Sequence, residues 1–128
     1  MKKKIGSGSP WEDIVGYSRA VRVGNIIEVA GTTAMDGEKL IGAGDMYAQT
    51  LFILKKIERV LLEAEATLDD VVRTRMYIVD ITQWEEAARA HGEFFKKIKP
   101  VSTMVEVSRL INSNLLIEIE ATAILDVN

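Results

Sequence analysis

The chain has 128 residues, enough for one domain around a single sizeable core; 48% are apolar, 27% charged and only two are proline, an ordinary globular composition. A net charge of −3, with cations dispersed apart from Lys2-Lys3-Lys4, leaves no extended basic surface to release counter-ions from phosphates, so nucleic acid is an unlikely partner. The absence of cysteine excludes disulfides, thiolate metal sites and a cysteine nucleophile together.

Residues 1–9, basic and then Gly/Ser-rich, read as a flexible lead to a domain over 10–128, with Trp11 expected to pack on the body. The lysines precede Ile-Gly-Ser-Gly-Ser-Pro, not an apolar segment, so no secretory signal is read here. No run of ~18 apolar residues suggests a membrane span, and a cytoplasmic location is the expectation. Tyr17–Val23 and Ile26–Thr32 read as strands joined by Gly24-Asn25, a pair that accepts positive φ and suits a tight hairpin. Gly31 marks either a close approach by a ligand or second backbone, or a simple strand exit.

Asp36-Gly37 predicts a turn, and Asp45 is a candidate helix N-cap. Beyond it Ile53, Leu54, Ile57, Val60, Leu61 and Ala64 form one apolar helical stripe. In the next strand Arg73, Arg75 and Tyr77 alternate with Val72, Thr74, Met76 and Ile78. The two arginines stand ~6–7 Å apart on one face, an arrangement best tolerated beside carboxylates. A second helix is expected from a capping box at Thr82-Gln83-Trp84-Glu85 to about Ile98, before Pro100, with Trp84, Ala87, Ala88, His91, Phe94, Phe95 and Ile98 as its stripe. His91, the only histidine, reads as a hydrogen-bonded packing residue before a general base, and no metal site is expected.

The region 100–122 holds two further alternating runs. Ile117, Ile119, Ala121 and Ala123 oppose Glu118, Glu120 and Thr122, while Thr103, Val105 and Val107 oppose Ser102, Met104 and Glu106. Glu118 and Glu120 are the natural counter-charges for Arg73 and Arg75; such pairs contribute less than ~1 kcal/mol each on a solvated face, and a polar cleft or subunit interface is the competing reading.

The element order gives an α+β domain, a mixed sheet with two helices on one face. The other face would carry Arg19, Glu28, Arg73, Arg75, Glu106, Glu118 and Glu120 with Tyr17, Val21, Tyr77 and Met104. That mixture is too polar for a core and rather apolar for water, which predicts cover by other subunits. A glycine-rich phosphate loop, a nucleophile elbow and a dinucleotide fingerprint are all missing, so no cofactor is expected.

Taken in order, Tyr17-Ser18-Arg19-Ala20-Val21, Val23-Gly24-Asn25, Ala30-Gly31-Thr32, Pro100, Val105-Glu106-Val107, Arg109-Leu110 and Ile117-Glu118-Ile119-Glu120-Ala121 resemble the RidA/YjgF family, also labelled endoribonuclease L-PSP or translation initiation inhibitor. The resemblance implies a chorismate-mutase-like fold, a homotrimeric barrel and a small-molecule ligand in each intersubunit cleft. In the best-known branch 2-imino acids are hydrolysed to 2-keto acids and ammonia. There an arginine two residues after the proline grips the substrate carboxylate, whereas this chain has Ser102, which lacks the charge and the bidentate fork.

The resemblance assigns Glu118 to positioning or activating water, and Tyr17, Gly31 and Thr32 to the cleft. Arg75 or Arg19 is a candidate for the missing positive charge, with Ser102, Thr103 and Glu120 as further substrate contacts. An imine- or enamine-directed C–N hydrolase with weak standard 2-imino acid deaminase activity is the leading reading. A non-catalytic ligand-binding or chaperone-like trimer is the alternative, and an endoribonuclease or translation inhibitor fits the charge distribution least.

Overall fold

The computed structural model describes residues 2–126. Their order is β1 (Lys2–Ile5), α1 (Pro10–Val15), β2 (Ala20–Val23), β3 (Ile26–Thr32), β4 (Met35–Asp36), β5 (Lys39–Leu40), α2 (Met46–Glu63), β6 (Val71–Ile78), α3 (Trp84–Phe95), β7 (Val101–Glu106) and β8 (Ile117–Ile124). Six strands form one mixed sheet in the order β1-β2-β3-β8-β6-β7, in which only β6 and β7 run parallel. Strands β4 and β5 make a separate small ribbon. The expected α+β architecture holds, with α2 and α3 packed together on one face of the sheet.

Alternation in β8 puts Ile117, Ile119, Ala121 and Ala123 in the core at 1% exposure or less, with Glu118, Glu120 and Thr122 on the open face. The α2 stripe closes the core from above, with Ile53, Leu54, Ile57 and Leu61 fully buried. Asp45 caps this helix, accepting from the Ala48 amide. Buried Gln49 ties it to the approach to β8, donating to the Gly42 and Asn114 carbonyls and accepting from the Leu116 amide. At its other end Lys3 Nζ donates to the Glu63 carbonyl and Arg22 Nη1 to the Ala64 carbonyl, supplying cations where the helix dipole is negative.

The β2–β3 hairpin turns at Gly24-Asn25, with Gly24 at φ 60°. Several boundaries differ from expectation. Lys2–Ile5, expected within a flexible lead, form an edge strand paired with β2. Residues 10–15 form a helix that hydrophobic periodicity did not announce, begun by Ser9 accepting from the Trp11 amide with Pro10 in its first turn. Trp11 lies 56% exposed on it and does not pack on the body.

Helix α3 starts two residues later than expected and without the Thr82/Glu85 box. Asp80 instead accepts from the Thr82 amide and hydroxyl, capping a preceding 3-10 turn. The helix ends at Phe95, short of Ile98, and Trp84 at its start is exposed, off the buried stripe. In β6 a bulge between Val71 and Arg73 shifts the phase, so Val71 occupies the core position expected for Val72. In β7 the parallel register with β6 sets Ser102 beside Thr74, Met104 beside Met76 and Glu106 beside Ile78. Met104 and Glu106 therefore face the helices and are not part of the charged face.

Candidate functional site

The site begins with a defect in the β3–β8 ladder. Val29 pairs with Ala121 and Thr32 with Ile119, so Ala30 and Gly31 together oppose the single residue Glu120. The extra residue turns Thr32 into the core at 1% exposure, where its hydroxyl donates to the Ala30 carbonyl at 2.8 Å. Thr32 thus supports the bulge and is not available as a ligand contact from the open face, contrary to expectation. On that face the Glu118 side chain lies against Gly31, and a Cβ added to Gly31 would fall 2.9 Å from the Glu118 carboxyl carbon. Of the two readings of Gly31, close approach is the observed one, and the approaching group is this carboxylate.

Burial raises the Glu118 pKa, opposed by nearby Arg19 and reinforced by Glu120. Arg19 is 7% exposed; Nη2 donates to the Gly31 carbonyl at 2.6 Å, and its guanidinium lies 5.8 Å from the Tyr17 ring centre. Its Nε is buried without a hydrogen-bond partner. A half-satisfied guanidinium beside a half-buried carboxylate favours a polar ligand or water between their free atoms.

The cations of β6 behave differently from expectation. Arg75 stands across from Glu120, and Tyr77 across from Glu118. Yet the ion pairs among the described residues are Lys3–Glu65, Arg89–Glu86 and Arg89–Glu93, none of which joins β6 to β8. The group that engages Glu120 is Tyr77, whose hydroxyl donates to Glu120 Oε1 at 2.9 Å. This bond to a carboxylate, with burial, raises the tyrosine pKa. Arg75 remains free of these carboxylates and lines an open depression of about 370 Å³ with Tyr17, Ser18, Glu28, Ala30 and Glu120. Thr103, beside Arg75 in the β6–β7 register, is exposed on the same face.

Ser102 lies elsewhere. It points to the helix side of β7, where Thr74 Oγ1 donates to Ser102 Oγ at 2.8 Å and lies 2.9 Å from His91 Nε2. Within one chain, therefore, Tyr17, Arg19, Gly31, Arg75, Thr103, Glu118 and Glu120 share the open face, while Ser102 and Thr32 do not. Sequence reading missed the Tyr77–Glu120 bond and the His91–Thr74–Ser102 chain. The signal for the second was present: Thr74 is the one hydroxyl in the apolar phase of β6, and a buried hydroxyl needs partners. No group of three or more His, Asp or Glu among the described residues is placed to hold a metal ion.

A mixed sheet covered by two helices on one face and carrying a bulged, glycine-backed carboxylate on the other defines a YjgF-type single domain. The chain belongs to the RidA/YjgF family: residues 9–125 match the model described as Endoribonuclease L-PSP. It superposes on the crystal structure of Rv2704 of Mycobacterium tuberculosis, a member of the YjgF/YER057c/UK114 family, with a TM-score of 0.90 and 48% identity, covering 98% of this chain and 100% of that one. It is 41% identical over 108 residues to a RutC family protein of Pyrococcus abyssi, covering 84% of each. It is also 29% identical over 120 residues to the 3-aminoacrylate deaminase RutC of Acinetobacter baylyi, covering 93% of this chain and 94% of the relative.

Proposed function

We propose that the protein is a trimeric hydrolase of small imines or enamines, acting at C–N bonds in clefts between subunits. One observation carries this reading: the half-buried Glu118 carboxylate rests on Gly31 beside the incompletely bonded Arg19. A carboxylate with a raised pKa can take a proton from water as that water attacks an imine carbon, then return it to the departing nitrogen. Arg19 and the uncommitted Arg75 offer charge for substrate recognition, with Tyr17 and Thr103 beside them. The likeness to a 3-aminoacrylate deaminase supports a C–N substrate. The mixed polar and apolar open face, with Val105 at 42% exposure on it, supports cover by partner subunits.

Standard 2-imino acids should be poor substrates, because Ser102 supplies no charge and faces the helix side. The test is hydrolysis of 2-iminopropanoate, generated from alanine by an oxidase and followed as loss of semicarbazone, beside 3-aminoacrylate. Weak turnover of the first, with activity lost in both Glu118→Gln and Arg75→Ala, is the expected result. The competing reading, a ligand-binding trimer without chemistry, is favoured by the shallow, open form of the depression in the single chain. It predicts that both variants change binding or stability with no turnover to lose.

A further inference from the structure

Both carboxylates that line the open depression are held by hydroxyls and not by arginines. Thr122 Oγ1 donates to Glu28 Oε1 at 2.6 Å, and the Tyr77 hydroxyl donates to Glu120 Oε1 at 2.9 Å. The second bond runs diagonally across the ladder. Tyr77 stands directly across from Glu118 and Arg75 directly across from Glu120, so the tyrosine reaches into the next pair and takes the carboxylate that faces the arginine. Opposed residues on an antiparallel pair have Cβ atoms ~4.5–5.5 Å apart, and diagonal ones stand ~7–8 Å apart, still within reach of an aromatic side chain. Arg75 is therefore the nearer cross-strand neighbour of Glu120, yet it joins no ion pair among the described residues and stays on the wall of the depression of about 370 Å³.

We propose that Tyr77 is a positioning residue that, by holding Glu120, keeps Arg75 open as the anchor for a carboxylate of the ligand in this depression. A phenol suits the task because it gives a carboxylate one directed hydrogen bond and brings no charge of its own. Released from it, Glu120 would turn to the guanidinium directly opposite, and an incoming anion would then have to displace a carboxylate already in place. The bond to Glu120 and burial raise the Tyr77 pKa against the lowering effect of nearby Arg75, so the hydroxyl keeps its proton at neutral pH and the lock stays closed. Tyr77 acts on the ligand through Glu120 and Arg75 and is not itself a contact. The role of Arg75 rests on the small-metabolite reading above and narrows its ligand to a molecule bearing a carboxylate; the lock is a property of the chain that is visible without turnover.

The test is a double-mutant cycle on the full chain, read from the Arg75 Nε–H resonance by NMR, assigned by its loss in Arg75→Lys, with pyruvate as the probe. Pyruvate should move this resonance in the wild type. Tyr77→Phe, which removes only the hydroxyl, should shift the resonance before any pyruvate is added and weaken pyruvate binding ~2–5-fold, the strength of one exposed ion pair. Glu120→Gln removes a negative charge and strengthens pyruvate binding by itself, so the decisive comparison is within that background: adding Tyr77→Phe to Glu120→Gln should change neither the resonance nor the affinity. Equal pyruvate affinity in the wild type and Tyr77→Phe overturns the lock. A Tyr77→Phe effect of the same size with Glu120→Gln present also overturns it, because the hydroxyl would then act on the ligand directly. An Arg75 resonance that pyruvate leaves unmoved in the wild type overturns the anchor. None of these readouts involves turnover, so loss of hydrolysis in Glu118→Gln bears on the catalytic reading alone.

Discussion

The Glu118 carboxylate lies on the bare backbone of Gly31, in space that any β-carbon would occupy. Gly31→Ala should therefore push the carboxylate aside. The displaced group is the far end of a flexible side chain, so the stability cost should stay near ~1 kcal/mol, within the common range for single substitutions. The loss belongs to catalysis: turnover should fall at least tenfold, in keeping with ~1.4 kcal/mol per decade. Calorimetry with kinetics on the purified variant separates the two, and full activity would dissociate Gly31 from the site.

Removing the guanidinium at Arg19 has two separable effects. Arg19→Met leaves the part-buried Gly31 carbonyl without its donor, which costs ~1–3 kcal/mol. It also removes the cation that holds the Glu118 pKa down, so that pKa should rise further. Urea denaturation measures the first and a carbon-detected titration of the Glu118 carboxyl the second. An unmoved titration would mean that Arg19 is not an electrostatic partner.

Glu118 makes its own signature in stability against pH. Burial raises its pKa in the folded state above the ordinary value near 4.5, so its contribution to stability is complete below that value and is lost as pH rises through the folded pKa. Glu118→Gln carries no such charge. Relative to the variant, the wild type should lose stability as pH increases from about 4.5, and urea midpoints collected across that range give the slope. The opposite slope would contradict a raised pKa.

His91 acts at the other end of the scale and with the opposite sense. Burial depresses its pKa below the ordinary 6.5, so stability is complete above 6.5 and declines as pH falls towards the folded value. His91→Gln should flatten the urea midpoint over that window. A wild-type midpoint that climbs relative to that of His91→Gln on acidification from pH 6.5 contradicts this.

Sedimentation should give a species three times the 14.2 kDa chain mass at micromolar concentration. A lone 14.2 kDa species would remove the intersubunit cleft from the proposal.

The elements that the sequence specifies most clearly are those where one physical signal acts alone. Gly24-Asn25 suits a tight hairpin turn, Asp45 offers a capping oxygen, and β8 alternates cleanly, so all three were legible. Phase errors entered wherever a strand gains a residue. The bulge at Ala30-Gly31 buries Thr32, and the one at Val71–Arg73 exchanges Val71 for Val72. Neither insertion leaves a mark in a polar-apolar pattern.

Strand β7 failed for a different reason. Val101-Ser102-Thr103-Met104-Val105-Glu106 is ambiguous about its own face, and parallel pairing with β6 decides it. The candidate site was legible in Tyr17, Arg19, Glu118 and Arg75 as residues. Which of them touch depended on tertiary register: Tyr77 takes the carboxylate that composition alone would have assigned to an arginine.

Lys3 on the edge strand β1 and Arg22 on its neighbour β2 reach across to the carbonyls at the C-terminal end of α2. The first strand is thus fastened to the helix layer by charge, and only one of its residues, Ile5, is buried in the core. Concentrated salt weakens such fastenings while sparing apolar packing, so β1 should be the part of the sheet whose amide protons exchange soonest as ionic strength rises. The fold would then come apart from its first edge inward, with β8 the last strand to give up its protons.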